Sequence, residues 1–133
     1  MEIWIKSIPL KELVERYGCE SAGDYWRPTP NLLNVRAADT GNEDFNFLIS
    51  LHELLEEILC TKRGIKETDI QAFDQMFDRE QKEGLHPEDA EPGNDPRAPY
   101  YREHMFATAM ETLMCNEMGL KLCDYDEAVN ALF

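Results

Sequence analysis

His52-Glu53-Leu54-Leu55-Glu56 sets an imidazole and a carboxylate four residues apart, with a second carboxylate beside the imidazole. Residues at i and i+4 project side by side from one helix face, the spacing at which metal-binding helices place two ligands. On a helical wheel at about 100° per residue, with Phe45 as zero, seven apolar residues (Leu54, Phe47, Ile58, Leu51, Leu55, Leu48, Leu59) run from about 180° to 320°. Phe45, Ile49 and Cys60 continue that arc to about 60°. His52 and Glu56 fall inside it at about 340° and 20°, Glu53 lies at its edge near 80°, and Glu57 and Ser50 occupy the polar side. The pattern turns His52 and Glu56 inward. A carboxylate buried among leucines costs several kcal/mol uncompensated, so Glu56 calls for a cation, a proton or a donor.

A second segment repeats the arrangement. With His104 as zero, Leu113, Phe106, Met110, Met114, Ala107 and Met118 fill about 180° to 320°, followed by Glu111, His104 and Cys115 at about 340°, 0° and 20°. Glu117, near 220°, interrupts the arc in the last turn. Between these segments, Asp74 and Asp78 adjoin Ile70, Phe73, Met76 and Phe77. If three helices pack their stripes together, His52, Glu56, His104 and Glu111 are the expected metal ligands, with Asp74 as an additional one. Zinc is favoured by the nitrogen donors, and manganese, iron or magnesium are the other candidates. The bland alternative is a hydrogen-bonded core in which Glu56 pairs with Arg102 or another cation and Asp74 and Asp78 form a solvated flank.

The rest of the chain has to position these helices. Glu2 to Ser7, with Ile3, Trp4 and Ile5, and Leu32 to Ala38, with Leu33, Val35 and Ala37 alternating against Asn34 and Arg36, read as strands. Pro9 to Tyr17 reads as a short helical turn, and Gly23, Pro28 and Pro30 punctuate a loop around Tyr25 and Trp26. Thr40 to Glu43 matches a capping box opening a helix over about 43 to 63; Thr68 to Gln71 matches a second, opening one over roughly 69 to 82. Residues 84–98 hold Pro87, Pro92 and Pro96, an irregular loop of the length usually kept for function. His86 within it reads as exposed, or as part of a lid. A third helix starts near Pro99 and stops at Gly119, and a short one covers about 124 to 132. The expectation is an α+β fold: a single domain, 1–133, with a β-rich segment (1–40) whose small antiparallel sheet packs on a three- to four-helix core (41–133). Trp4 and Trp26 are expected to anchor sheet to helices, and Cys60 and Cys115 to fill the core.

Length and charge bound the function. The 133 residues carry 13 basic and 27 acidic side chains, −14 at pH 7, a field that repels phosphate backbones and anionic lipid and favours cations or a protein partner with a basic surface. Nucleic acid and membrane are therefore not expected partners. Cys19, Cys60, Cys115 and Cys123 form no C-x-x-C pair, and the chain starts without a basic region followed by a leucine-rich signal core, so free thiols in a cytoplasmic protein are expected.

His52-Glu53-x-x-Glu56 resembles the H-E-x-x-H helix of the zincin metallopeptidases, with glutamate in place of the second histidine and Leu32 to Ala38 matching their edge strand. The likeness covers about a fifth of the chain. It implies His52 and Glu56 as ligands, His104 as a third, and Glu53 as the catalytic general base of a zinc-type metallohydrolase acting on a small molecule or peptide. The wider layout is a HELxE helix ending in Cys60, Ala72-Phe73-Asp74, Pro92-Gly93-Asn94-Asp95-Pro96-x-Ala98-Pro99-Tyr100, and Glu103-His104-x-Phe106-Ala107-Thr108. This is similar to small bacterial and phage-encoded proteins of unassigned activity, which implies a pattern and no reaction. Two other classes remain open: a magnesium-dependent nucleotide pyrophosphohydrolase of the all-helical MazG type, from Glu53-x-x-Glu56 and Asp74-x-x-x-Asp78, and a non-enzymatic phage or bacterial interaction protein.

Overall fold

The structure, a computed structural model, describes residues 1–133. In chain order it comprises β1 (Glu2–Ile8), α1 (Leu10–Tyr17), β2 (Gly23–Thr29), β3 (Leu32–Ala38), α2 (Glu43–Lys62), α3 (Glu67–Lys82), a 3-10 turn at Pro92–Asn94, α4 (Tyr101–Glu117) and α5 (Leu122–Asn130). This is the expected α+β class, with one three-stranded sheet at the N-terminal end.

The sheet is mixed, not antiparallel. Its order is β1-β3-β2: β3 pairs antiparallel with β2 through a tight turn and parallel with β1, Ile3 opposite Leu33 and Ile5 opposite Val35. The eight-residue α1 carries the chain from β1 to the far edge, and the β2–β3 hairpin then returns β3 into the gap, where it runs in the direction of β1. Alternation along a strand reports its two faces and says nothing of its neighbour's direction. The segment read as a loop around Tyr25 and Trp26 is strand β2. Its irregularity falls between Trp26 and Thr29, where Pro28 needs no ladder partner on an edge strand.

The central strand shows the expected alternation, with Leu33, Val35 and Ala37 fully buried against α2 and Asn34 and Arg36 half-buried on the other side. One apolar cluster joins Ala37, Leu48, Ile49, Cys115 and Tyr125; a second joins Cys60, Ile70, Phe73, Phe77, Ala98 and Tyr100. Burying each large side chain contributes about 1.5–3 kcal/mol, which locks α2 between β3, α4 and α3. Cys60 and Cys115 fill core space as expected; Trp4 does not, being half exposed on an edge strand, and Trp26 is instead stacked between the guanidinium groups of Arg16 and Arg36.

Helix caps differ from the capping-box expectation. Asn42, not Thr40, caps α2, its side chain accepting from the Asp44 and Phe45 amides, while the Thr40 hydroxyl is taken by Asn46. Thr68 lies within α3, which starts after Lys66 without a side-chain cap. Gly119, at φ 73°, ends α4 where a left-handed residue is required. No helix is long and apolar enough to cross a membrane.

Candidate metal centre

The antiparallel pairing of α2 and α4 brings the two wheel patterns into register. His52 Nε2 lies 3.2 Å from Glu56 Oε2 and 3.1 Å from His104 Nδ1, and His104 Nδ1 lies 2.8 Å from the same Glu56 oxygen. All three residues are buried. The imidazoles meet edge to face with centroids 4.6 Å apart. Three donor atoms thus form a triangle at the middle of the helix pair, a group that could hold a metal ion.

What lies behind each donor matters as much. His52 Nδ1 is 3.1 Å from Glu111 Oε1, and Glu111 Oε2 accepts from the Tyr125 hydroxyl at 2.7 Å. Glu56 Oε1 accepts from the Tyr25 hydroxyl at 2.9 Å. His104 Nε2 is 3.2 Å from Glu91 Oε2, within ion-pair reach but misaligned for a hydrogen bond, so it is buried without a hydrogen-bond partner. A carboxylate thus stands beyond the outer nitrogen of each histidine, hydrogen-bonded to His52 and within ion-pair reach of His104, and a carboxylate in that place favours the tautomer that leaves the inner nitrogen as a lone pair. Lone pairs on His52, His104 and Glu56 then converge and repel unless a cation or shared protons sit between them. Metal–ligand bonds of about 2.1 Å put adjacent donors about 3.0 Å apart in an octahedron and about 3.4 Å apart in a tetrahedron. The sides of 2.8–3.2 Å fit three adjacent octahedral corners and fall short of the tetrahedral edge.

Electrostatics reflect the same crowding. Burial alone would push the His104 imidazole down, but the Glu56 and Glu91 carboxylates reverse this and lift it to about 9. His52, likewise opposed by burial, is held well above its ordinary value by Glu111 and Glu56. Burial would raise Glu56, yet hydrogen bonds with His104 and His52 overcome it and hold it at about 2. Without an ion, protons neutralise the cluster.

The chain matches no family model, no curated protein and no solved structure. The reading of this centre therefore rests on its geometry.

Glu53 points from α2 towards the sheet, where Gly23 makes room for it: a Cβ there would come within 2.6 Å of its Cγ. Burial and then the Glu56 charge push the Glu53 carboxyl well above its ordinary range. Glu53, His52, Glu56, His104 and Asp74 all line one pocket of about 210 Å³. Two expected ligands line the same pocket but stand outside the triangle. Glu111 stands on the outer side of His52 and supports a ligand rather than joining the three. Asp74 is occupied by the hydroxyls of Tyr100 and Tyr17, which leaves it apart from the triangle. Arg102 does not approach Glu56; the imidazoles and Tyr25 do. Lys82 holds Asp78 on the surface.

Sequence reasoning missed Glu91, Tyr25, Tyr125, Tyr17 and Tyr100. Glu91 lies in the proline-rich loop, which the 3-10 turn presses onto α4 so closely that a Cβ on Gly93 would fall 2.3 Å from the His104 ring. The adjacent Pro92-Gly93 was the available signal for such a close approach. His86, expected to be exposed, is half-buried, stacked on Phe77 at 4.2 Å and bonded to Glu80.

Proposed function

We propose that the protein binds one divalent transition-metal ion through His52, Glu56 and His104 and uses it in a hydrolytic reaction on a small molecule or peptide. The observation that carries this reading is the triangle of three inner donors, each with its outer atom engaged by Glu111, Glu91 or Tyr25. Two imidazoles and a carboxylate suit zinc, manganese or iron(II), and the octahedral spacing favours an ion with several positions left open. A bound ion of this kind polarises a carbonyl or phosphoryl oxygen and lowers the pKa of water to about 7.

The chain's own residues supply the rest. Glu53, which lines the same pocket, is the proposed general base, taking a proton from the attacking water at one of its carboxylate oxygens. Tyr25 fixes the rotamer of Glu56, and Glu111, steadied by Tyr125, orients His52. The phenols around Asp74 wall one side of the pocket. Four cysteines without disulfide partners accord with a cytoplasmic setting. The pyrophosphohydrolase alternative draws less support, because Tyr17 and Tyr100 take Asp74 and Lys82 takes Asp78, leaving α3 without a free acidic pair.

Elemental analysis and calorimetric titration with zinc, manganese and iron(II) test the metal; the expected result is one equivalent. A panel of ester, amide and phosphate substrates then tests the reaction, with Glu53→Gln expected to keep the metal and lose turnover. Absence of any metal, together with unchanged stability on chelation, overturns the proposal in favour of a hydrogen-bonded core in an interaction protein.

A further inference from the structure

Two sides of α2 are spoken for. His52 and Glu56 turn to α4, while Glu57 pairs with Arg27 of β2 and Glu53 packs on Gly23. The remaining arc holds Phe47, Leu51, Leu54, Leu55 and Ile58, and its charged residues are confined to its two ends, Asp44 and Lys62. Phe47 and Ile58 are exposed. On the neighbouring α4, Phe106, Met110 and Leu113 are 49%, 37% and 57% exposed. Ile3 and Ile5, in register with Leu33 and Val35, share the sheet face on which α2 rests and extend it outward, exposed. An apolar face spanning two helices and a strand is larger than a soluble monomer usually leaves open, and it lies on a chain whose other surfaces carry −14. Two helices about 25 Å long and together about 20 Å wide match the footprint of a standard interface once side-chain relief is counted.

The charges at the ends of the two stripes identify the occupant. α2 begins with Glu43 and Asp44 and ends with Lys62; α4 has Arg102 at its start and Glu117 at its end. His52 faces Glu111, so the middle of the α2 stripe, between Leu51 and Leu54, is level with Met110 in the middle of the α4 stripe. A two-fold axis crossing both helices at that level lays Phe47 near Ile58 of a second copy and Phe106 near Leu113. The same axis brings Asp44 to Lys62 and Arg102 to Glu117, opposite charges at all four ends. An axis running along the helices would instead set Asp44 beside Glu117 and Lys62 beside Arg102. Both stripes are thus self-complementary about one axis, a property that an unrelated partner would not require.

We propose that the protein is a two-fold dimer in which the outer faces of α2 and α4 pack on those of a second copy, α2 on α2 and α4 on α4, each pair antiparallel, to complete a four-helix bundle.

Sedimentation equilibrium of the full chain is expected to give twice the monomer mass. Phe106→Lys and Leu113→Lys, at exposed positions, are each expected to weaken the dimer by roughly 30-fold or more with an unchanged helical circular-dichroism signal. Met110→Cys in a Cys123→Ser chain, whose other cysteines are buried, is expected to crosslink to its own copy under a disulfide oxidant, because a residue at the axis meets itself. A monomeric wild type, or a dimer indifferent to both lysines, overturns the proposal. So does an intact dimer in which Met110→Cys fails to crosslink. If a lysine variant loses its helical signal, the crosslink decides alone.

Discussion

Glu56 and Asp74 are carboxylates of one pocket, both buried, and they are compensated by different chemistry. Asp74 faces two phenols, Tyr17 and Tyr100, whose protons are held so firmly by burial and by Asp74 itself that they act as permanent donors. Such a site is complete without an ion. Glu56 faces two imidazoles, each with a carboxylate behind it, so the atoms turned towards Glu56 are lone pairs unless extra protons are bound. The difference teaches that a buried acid becomes a metal ligand through what stands opposite it, and through what stands behind that.

Replacing the two acids breaks the comparison most directly. Glu56→Ala is expected to reduce bound metal from one equivalent to near none, whereas Asp74→Asn leaves the metal content unchanged; equal losses in both would show that the pocket binds cations diffusely. Next in size, Glu111→Gln keeps the fold and removes the carboxylate behind His52. A 10- to 100-fold loss of metal affinity is expected by titration.

The pH response separates the two sites further. His104, raised to about 9, stabilises the metal-free protein fully below its unfolded value near 6.5, and that contribution disappears as pH rises through about 9. Metal must displace those protons, so affinity is expected to climb about tenfold per proton and pH unit from pH 7 to 9. Asp74 responds to base in the same direction but at lower pH. Burial first, eased by Tyr100 and Tyr17, raises it to about 6, so its protonated form stabilises the fold below about 4 and that contribution is lost as pH passes 6. Chemical denaturation at pH 4 and pH 7 is expected to show Asp74→Asn relieved of a loss on the order of 2–3 kcal/mol that the wild type suffers. The smallest effect is at Tyr25→Phe, which deletes one hydrogen bond to Glu56 and is expected to cost about 1 kcal/mol in thermal unfolding.

Much of this was legible along the chain. The 3.6-residue period carried His52 and Glu56 inward, and the same period on α4 brought His104 to meet them. The end of α4 followed from Gly119 as a stop. Other features were not legible for definite reasons. The direction of β1 depends on which gap β3 enters, which alternation does not encode. Asn42 outcompeted Thr40 as the cap because the Thr40 hydroxyl found Asn46. Glu111, although inward on its wheel, stands behind His52 because the depth of a side chain depends on how two helices are offset along their axes. Glu91 and the four tyrosines come from a loop, β2 and other helices, and no spacing in the sequence links them to α2.

Taken alone, the amino-acid order determined that an imidazole and a carboxylate share one helix face four residues apart, since helical period is a local property of the backbone. It determined equally the charge of −14 and the apolar stripes. Only the tertiary structure decided that His104 closes the triangle, that carboxylates stand behind both histidines, and that Asp74 is satisfied by phenols. Those outcomes depend on packing between segments about fifty residues apart, where a shift of one helical turn, about 5.4 Å, would exchange every partner.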